Sequence, residues 1–502
     1  MKRARASPTS SSVLVVAVVG ASLVLLATTA DLALAAAPLA LTLFAWALLR
    51  APLHHLALAL FFVSIVVDNP KEHPAEDLWV SPLKPVGVFL YENLNNITGI
   101  APLRFSMTDV LLAVMVAIVA VRGRRRDALP APPVLHLVLA AAFFAVTWLE
   151  LWGLARGGDL RASLWQMRPL FWVPAIAYVF TASIRGPRDH AALGKAVLLA
   201  ALIKAAFGLY FYVFICRPMG YQPAFATTHS DTVLFVAAAM IVIAFLLERA
   251  TLSTALIALP VLVFLALGIV VNGRRLAYVS AAASCAAIYL VLPEGRLRRT
   301  ANRTLVAAGP LAAIYLAIGW SSSSSLFGPA RKVASLFSKE DRSSAMRDIE
   351  NYNLILTWKK NLLLGSGFGH PYDELTTPDG INAIFPLYRY IGHNSILWLA
   401  AAGGVVCFGA FWMLLVALAY FAARSYRFAR APIDRAAALA ALSVVVIFGV
   451  QAYGDMGLNS WTAMYFLGMS LAVASKLAVA TGAFPLPQPR SVAALGAREV
   501  TP

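Results

Sequence analysis

Runs of about twenty apolar residues recur along the whole chain, separated by polar breaks. A run of that length matches the hydrocarbon thickness of a bilayer. The runs fall at 12–29, 32–49, 53–67, 107–121, 132–154, 170–183, 191–215, 232–247, 252–271, 276–293, 304–320, 394–422, 436–453 and 461–480. They predict fourteen transmembrane helices, or twelve or thirteen where neighbouring runs are short or weakly separated. Each must be helical, because lipid offers no partner to free backbone N–H and C=O groups. The expected fold class is an all-α polytopic integral membrane protein. Lys2, Arg3 and Arg5 before the first run imitate a secretory signal. Many spans follow and no clear cleavage site of small residues does, so the run is expected to be a retained first helix.

Basic residues set the expected orientation, because cytoplasmic loops collect Lys and Arg. With both termini cytoplasmic, every inner loop is basic: Arg50; Arg122 and Arg124 to Arg126; Arg185 and Arg188; Arg249; Arg296, Arg298, Arg299 and Arg303; Arg424, Arg427, Arg430 and Arg435. One outer loop, 155–169, is basic as well, with Arg156, Arg161 and Arg168. The two long loops, 68–106 and 321–392, both fall outside. Three regions result: a helix bundle over 1–320 with the outer loop 68–106, an outer loop over 321–393, and closing helices with a short cytoplasmic tail over 394–502.

Composition supports this picture. Of 502 residues, 60% are hydrophobic and only 13% charged, too greasy for a soluble globule that must cover its surface with polar groups. A net charge of +17 would point to nucleic acid in a soluble protein. Here the arginines mark loop ends, and no nucleic-acid partner is expected. Cys216, Cys285 and Cys407 are scattered and show neither metal spacing nor a disulfide framework.

The late outer loop carries the chemistry. Arg347 opens an expected amphipathic helix with Ile349, Tyr352 and Leu356 on one face; Asp348 and Glu350 could pair it as a surface arginine. Gly365-Ser366-Gly367-Phe368-Gly369 then turns the chain; no strand precedes it, so it is no dinucleotide fingerprint. His393-Asn394 leads into an apolar helix, where Asn394 can cap the first turn and His393 can accept a proton near neutral pH. Upstream, Arg274 and Arg275 stand between two apolar runs with no local acidic partner. Guanidinium groups so placed suit phosphate oxygens.

Residues 343–404 resemble the O-antigen ligase family of bacterial envelope glycosyltransferases, which includes polysaccharide polymerases. That pattern sets an Arg at a helix start, Gly-x-Gly eighteen positions on, His-Asn, and a Gly eleven past the His. Here Arg347 to Gly365 is eighteen and His393 to Gly404 is eleven. Arg275, with Arg274 beside it, resembles a second family arginine, and 163–169 resembles an arginine-bearing loop through Arg168. Asn351 and Leu362 replace residues frequent in the family, Trp and Pro, and the first 130 residues hardly take part.

The resemblance implies a multi-pass protein of the bacterial inner membrane that uses a polyprenyl-diphosphate-linked glycan as donor. The acceptor would be a glycan or lipid-linked hydroxyl at the periplasmic face, with membrane lipid as the surrounding partner. His393 would be the general base. Arg275, Arg347, Arg274 and Arg168 would bind the diphosphate, with Asn394, Gly365 and Gly367 supporting. No cofactor and no metal ion are expected, and single displacement would invert the anomeric carbon. Asp231 and Glu150 are competing bases, each more readily read as a cap or a polar contact. A polymerase of exopolysaccharide or O-antigen is favoured over a ligase to lipid A core. A lipid-linked-glycan flippase, and a peptidoglycan-type glycosyltransferase with a carboxylate base, are the other readings.

Overall fold

The computed structural model describes residues 8–29, 51–72, 81–101, 103–123, 127–223, 225–335, 342–377 and 387–486, with Leu78 and scattered positions between 36 and 50. The described residues are helical throughout, apart from turns and one isolated bridge between Asn93 and Ser106. Two compact units divide the chain, one up to Leu56 and one from Ala57. The first contains the helix Pro8–Thr29. All the candidate site residues lie in the second.

The predicted run at 32–49 lies largely outside the described residues. Every other run coincides with a helix. Among the described residues, eight helices are long and apolar enough to cross a membrane: Pro133–Ala155, Pro187–Cys216, Asp231–Glu248, Leu252–Asn272, Leu297–Gly319, Ser395–Phe428, Pro432–Gly454 and Trp461–Ala480. That make-up suggests a membrane protein. Leu53–Val66, Met107–Arg122 and Arg275–Val291 are shorter, with 14, 16 and 17 residues.

Trp461–Ala480 sits deepest in the bundle, with 89% of its apolar window buried, whereas Leu297–Gly319, at 0%, lies on the periphery. Trp461–Ala480 packs on Leu160–Ser183, and Pro432–Gly454 packs on Asp231–Glu248, Arg275–Val291 and Ser395–Phe428. These contacts bring the ends of helices far apart in sequence to one place.

Three expectations about the loops need correction. Residues 155–169 are not a plain loop: a helix starts at Leu160, because the Asp159 carboxylate accepts the Ala162 N–H at 2.7 Å as an N-cap. Arg168 therefore stands on a helix. Second, Arg347 lies inside the helix Arg342–Lys360 rather than at its start, and Tyr352 on the expected apolar face is exposed. The buried face is polar instead, with Glu350, Asn353 and Thr357 beside Leu354.

Third, residues 361–369 do not merely turn outside the bundle. They wedge between Pro133–Ala155 and Ser395–Phe428, backbone against backbone. Ser366 and Gly367 donate their N–H groups to the carbonyls of Ala401 and Ala402 at 3.0 and 2.9 Å, while Val405 donates to Leu362 O at 2.8 Å. Phe368 donates to Leu149 O at 3.0 Å. The helix Ser395–Phe428 opens for this at Gly404, which has φ 57° and ψ −171°. A Cβ on Gly365, itself at φ 71°, would lie 2.1 Å from Ala402 O. Irregular backbone buried between helices survives only where protein satisfies its polar groups, which the wedge and the broken helix do for each other.

Candidate active site

The wedge and the polar face of Arg342–Lys360 fix the loops around His393. Asn353 donates to Thr376 O at 2.8 Å and accepts from Leu375 N at 3.1 Å; Thr357 Oγ1 accepts from Asp373 N at 2.8 Å. Trp398, stacked at 6.0 Å on Phe368 of the wedge, donates its indole N–H to Tyr390 O at 2.6 Å. Asn394 is the N-cap of Ser395–Phe428, its Oδ1 accepting Leu397 N–H at 3.2 Å.

Glu350 is the hub. Its Oε2 accepts the backbone N–H of His393 and lies 3.1 Å from His393 Nδ1. Glu350 is 1% exposed and His393 25%. An ionised carboxylate only accepts; opposite one, a neutral imidazole would carry its proton on Nδ1 and keep its lone pair on Nε2. That tautomer suits proton removal from a hydroxyl.

Arg347 lies three residues before Glu350, on the same helix. Among the described residues its buried Nε has no hydrogen-bond partner. The same holds for Nε and Nη2 of Arg274, whose guanidinium lies 4.0 Å from the ring centre of Phe225. Burial lowers Arg274 to about 10; Arg347 and Arg275 push the same way and Asp455 opposes them. It stays charged at neutral pH. Gly273, left-handed at φ 68°, ends one helix so that Arg275–Val291 can begin at once. Arg275 reaches Ser335 O with Nη1 at 3.3 Å. Lys332, one turn earlier, is pulled down by burial and by the charges of Arg275 and Arg274. Four cations thus crowd together.

Asp455 answers them. Burial pushes its carboxyl up, but the bond to His229, 3.1 Å away, and the charges of His229, Arg274 and Arg347 hold it well below the usual range. The next residue, Met456, is left-handed at φ 52°, and its N–H donates to His393 O at 2.8 Å. The circuit closes: His393 to Glu350, along one helix turn to Arg347, across to Asp455, and through Met456 back to His393. Arg274 joins it through Asp455, and the charge of Arg275 acts on Arg274.

Other expected residues lie elsewhere. Arg168 is engaged within Leu160–Ser183's own surroundings: Nε donates to Asp109 Oδ1 at 2.9 Å, Nη1 to Asn93 Oδ1 at 3.1 Å and Nη2 to Ser106 Oγ at 2.6 Å, with a further bond to Asp109 Oδ2. Among the described residues no contact joins it to the other three arginines. Asp231 is buried, accepts Thr228 N–H at 2.9 Å and pairs with Lys204, which also holds Asp68. Glu150 accepts Ser163 Oγ–H at 2.8 Å. Gly365 and Gly367 serve the wedge. Asp455, His229 and Lys332 carried no sequence signal beyond residue type, and Glu350 figured only as a surface partner for Arg347.

Comparison with protein-family models and with curated proteins finds no match to this chain.

Proposed function

We propose that the chain is a membrane glycosyltransferase that moves a glycan from a polyprenyl diphosphate to an acceptor hydroxyl at the periplasmic face. The observation that carries this reading is the set of buried guanidinium nitrogens on Arg274 and Arg347 that lack an acceptor. A buried donor without a partner costs about 1–3 kcal/mol, more when charged, and diphosphate oxygens would relieve it. In this reading Arg274, Arg275 and Arg347 hold the diphosphate, with no cofactor or metal ion required. Arg168 is left out of the donor site because four of its five N–H groups are already taken.

The acceptor oxygen attacks the anomeric carbon and loses its proton to His393 Nε2. The bond to the diphosphate breaks, and the leaving group keeps the electron pair among the arginines. Glu350 holds the imidazolium that forms, much as a carboxylate orients histidine in hydrolytic triads. One displacement inverts the anomeric carbon. Polymerase activity is preferred over ligation to lipid A core. In this reading all fourteen apolar runs span the bacterial inner membrane, with both termini cytoplasmic.

The test is transfer in lipid vesicles with purified polyprenyl-diphosphate glycan. His393→Ala abolishes turnover and leaves donor binding intact, while Arg274→Ala and Arg347→Ala weaken donor binding. Full turnover in His393→Ala removes the base, and unchanged donor binding in both arginine variants removes the clamp. Accumulation of single lipid-linked repeats in cells lacking the protein identifies a polymerase; long unattached chains identify a ligase.

A further inference from the structure

Away from Asp455, a cavity of about 610 Å³ opens between His190–Tyr210, Asp231–Glu248, Leu252–Asn272, Pro432–Gly454 and Trp461–Ala480. Pro432–Gly454 runs from Ile433, which lines it, to the residue before Asp455. The lining residue of that helix nearest to Asp455 is Val444, eleven residues before it and about 16 Å away at 1.5 Å per residue, so the cavity is separate from the candidate active site. Its walls are mainly apolar, including Ile241, Phe245, Val261 and Val444. The volume falls within the range of small-molecule sites, about 300–1,000 Å³.

Its polar residues are unevenly charged. Lys195 and Arg249, both exposed, line it, and among the described residues no carboxylate does. Nearby Glu248 is bound to Arg435 at 2.6 Å and to Tyr426 at 2.8 Å. His190, its side chain 1% exposed, also lines the cavity, and neither ring nitrogen has a hydrogen-bond partner. Its Nδ1 lies 3.4 Å from Asp434 Oδ1, which is likewise without a hydrogen bond. An apolar void with two cations and an imidazole that makes no hydrogen bond among the described residues suits an amphiphile with an anionic head.

We propose that this cavity binds one acyl chain of an anionic glycerophospholipid, its phosphate held by Lys195 and Arg249 and its glycerol ester oxygens within reach of His190. Because the site is remote from Asp455 and His393, it does not depend on the glycosyltransfer reading.

The experiment is native mass spectrometry of the full chain released from vesicles of one part phosphatidylglycerol to three parts phosphatidylcholine. Wild-type protein retains one phosphatidylglycerol in preference to phosphatidylcholine. Gly194→Phe fills the void, since a Cβ there meets only Ile241 at 3.9 Å, and removes the bound lipid. Arg249→Ala and Lys195→Ala, both at exposed positions, each lower the preference for phosphatidylglycerol by about fivefold, the effect of one basic residue near a charged headgroup. Equal retention of the two lipids by wild type, or an unchanged preference in both Arg249→Ala and Lys195→Ala, overturns the proposal whether or not Gly194→Phe folds. Retention of inorganic phosphate alone, without lipid, overturns it as well.

Discussion

One oxygen of Glu350 takes the backbone N–H of His393 and faces its ring Nδ1, both at 3.1 Å. The double contact fixes the ring's position and its tautomer together. Replacing the carboxylate by an amide, as in Glu350→Gln, offers Nδ1 a donor and shifts the proton to Nε2. Under the proposed reaction, turnover should fall by about 10²–10⁴-fold, the range lost with a general base. Donor binding should stay within about twofold, since the arginines are untouched. Single-turnover transfer and donor titration separate the two effects.

Arg168 should behave as a structural residue. Arg168→Ala leaves the Asp109 carboxylate, 10% exposed, without its cation. The expected cost is about 3 kcal/mol, at the low end for breaking a buried pair because the Arg168 side chain is 24% exposed. The double variant Arg168→Ala with Asp109→Ala should recover part of that loss. Thermal unfolding in detergent gives the stabilities, and diphosphate affinity in the folded fraction should match wild type.

The wedge predicts a sharp difference between two glycines. In Gly367→Ala the new Cβ would lie 2.4 Å from Gly153 Cα, at φ 82°. Backbone cannot yield as a side-chain tip can, and the left-handed conformation adds its own penalty, together about 3 kcal/mol or more. Gly409→Ala, on the helix Ser395–Phe428 that the wedge opens, meets nothing within 4 Å and should be neutral or stabilising by up to about 1 kcal/mol. The unfolding midpoints of the two variants decide the point.

Asp455 makes stability depend on pH. Its carboxyl is held below the usual range in the folded protein, so the unfolded chain binds a proton at higher pH than the folded one. Its stabilisation is therefore full above the unfolded value, near 4, and is lost as pH falls. Asp455→Asn should be clearly less stable than wild type at pH 7, and the gap should close progressively below about pH 4. Unfolding midpoints of both proteins from pH 7 to pH 3 test this; a constant gap would show that the ionised carboxylate contributes nothing.

The apolar runs made the helices legible, because a bilayer-length stretch has one structural solution. The wedge was visible only as spacing. Gly365 and Gly404 sit at the distances the resemblance names, yet each needs to be glycine because of backbone reached only after folding: Ala402 for one, Leu363 for the other. Arg168 shows the same limit, since its carboxylate partner is 59 residues away.

A usable signal was missed on Arg342–Lys360. Glu350, Asn353 and Thr357 recur at helical spacing, a buried polar stripe in place of the apolar one expected through Tyr352. Periodic polar residues mark a helix that organises its neighbours by hydrogen bonds. Asp455 had no such mark: a lone carboxylate in a short turn acquires meaning only from cations brought to it by other helices.

Arg347 and Glu350 share one helix, three residues apart. A single inserted residue ahead of them would swing both about the helix axis by some 100°. Cation and histidine anchor would leave the pocket as one, so neither can drift without the other. Under the proposed transfer, adaptation to different glycans would have to be written into the opposite wall, on the turns that bear Arg274 and Asp455.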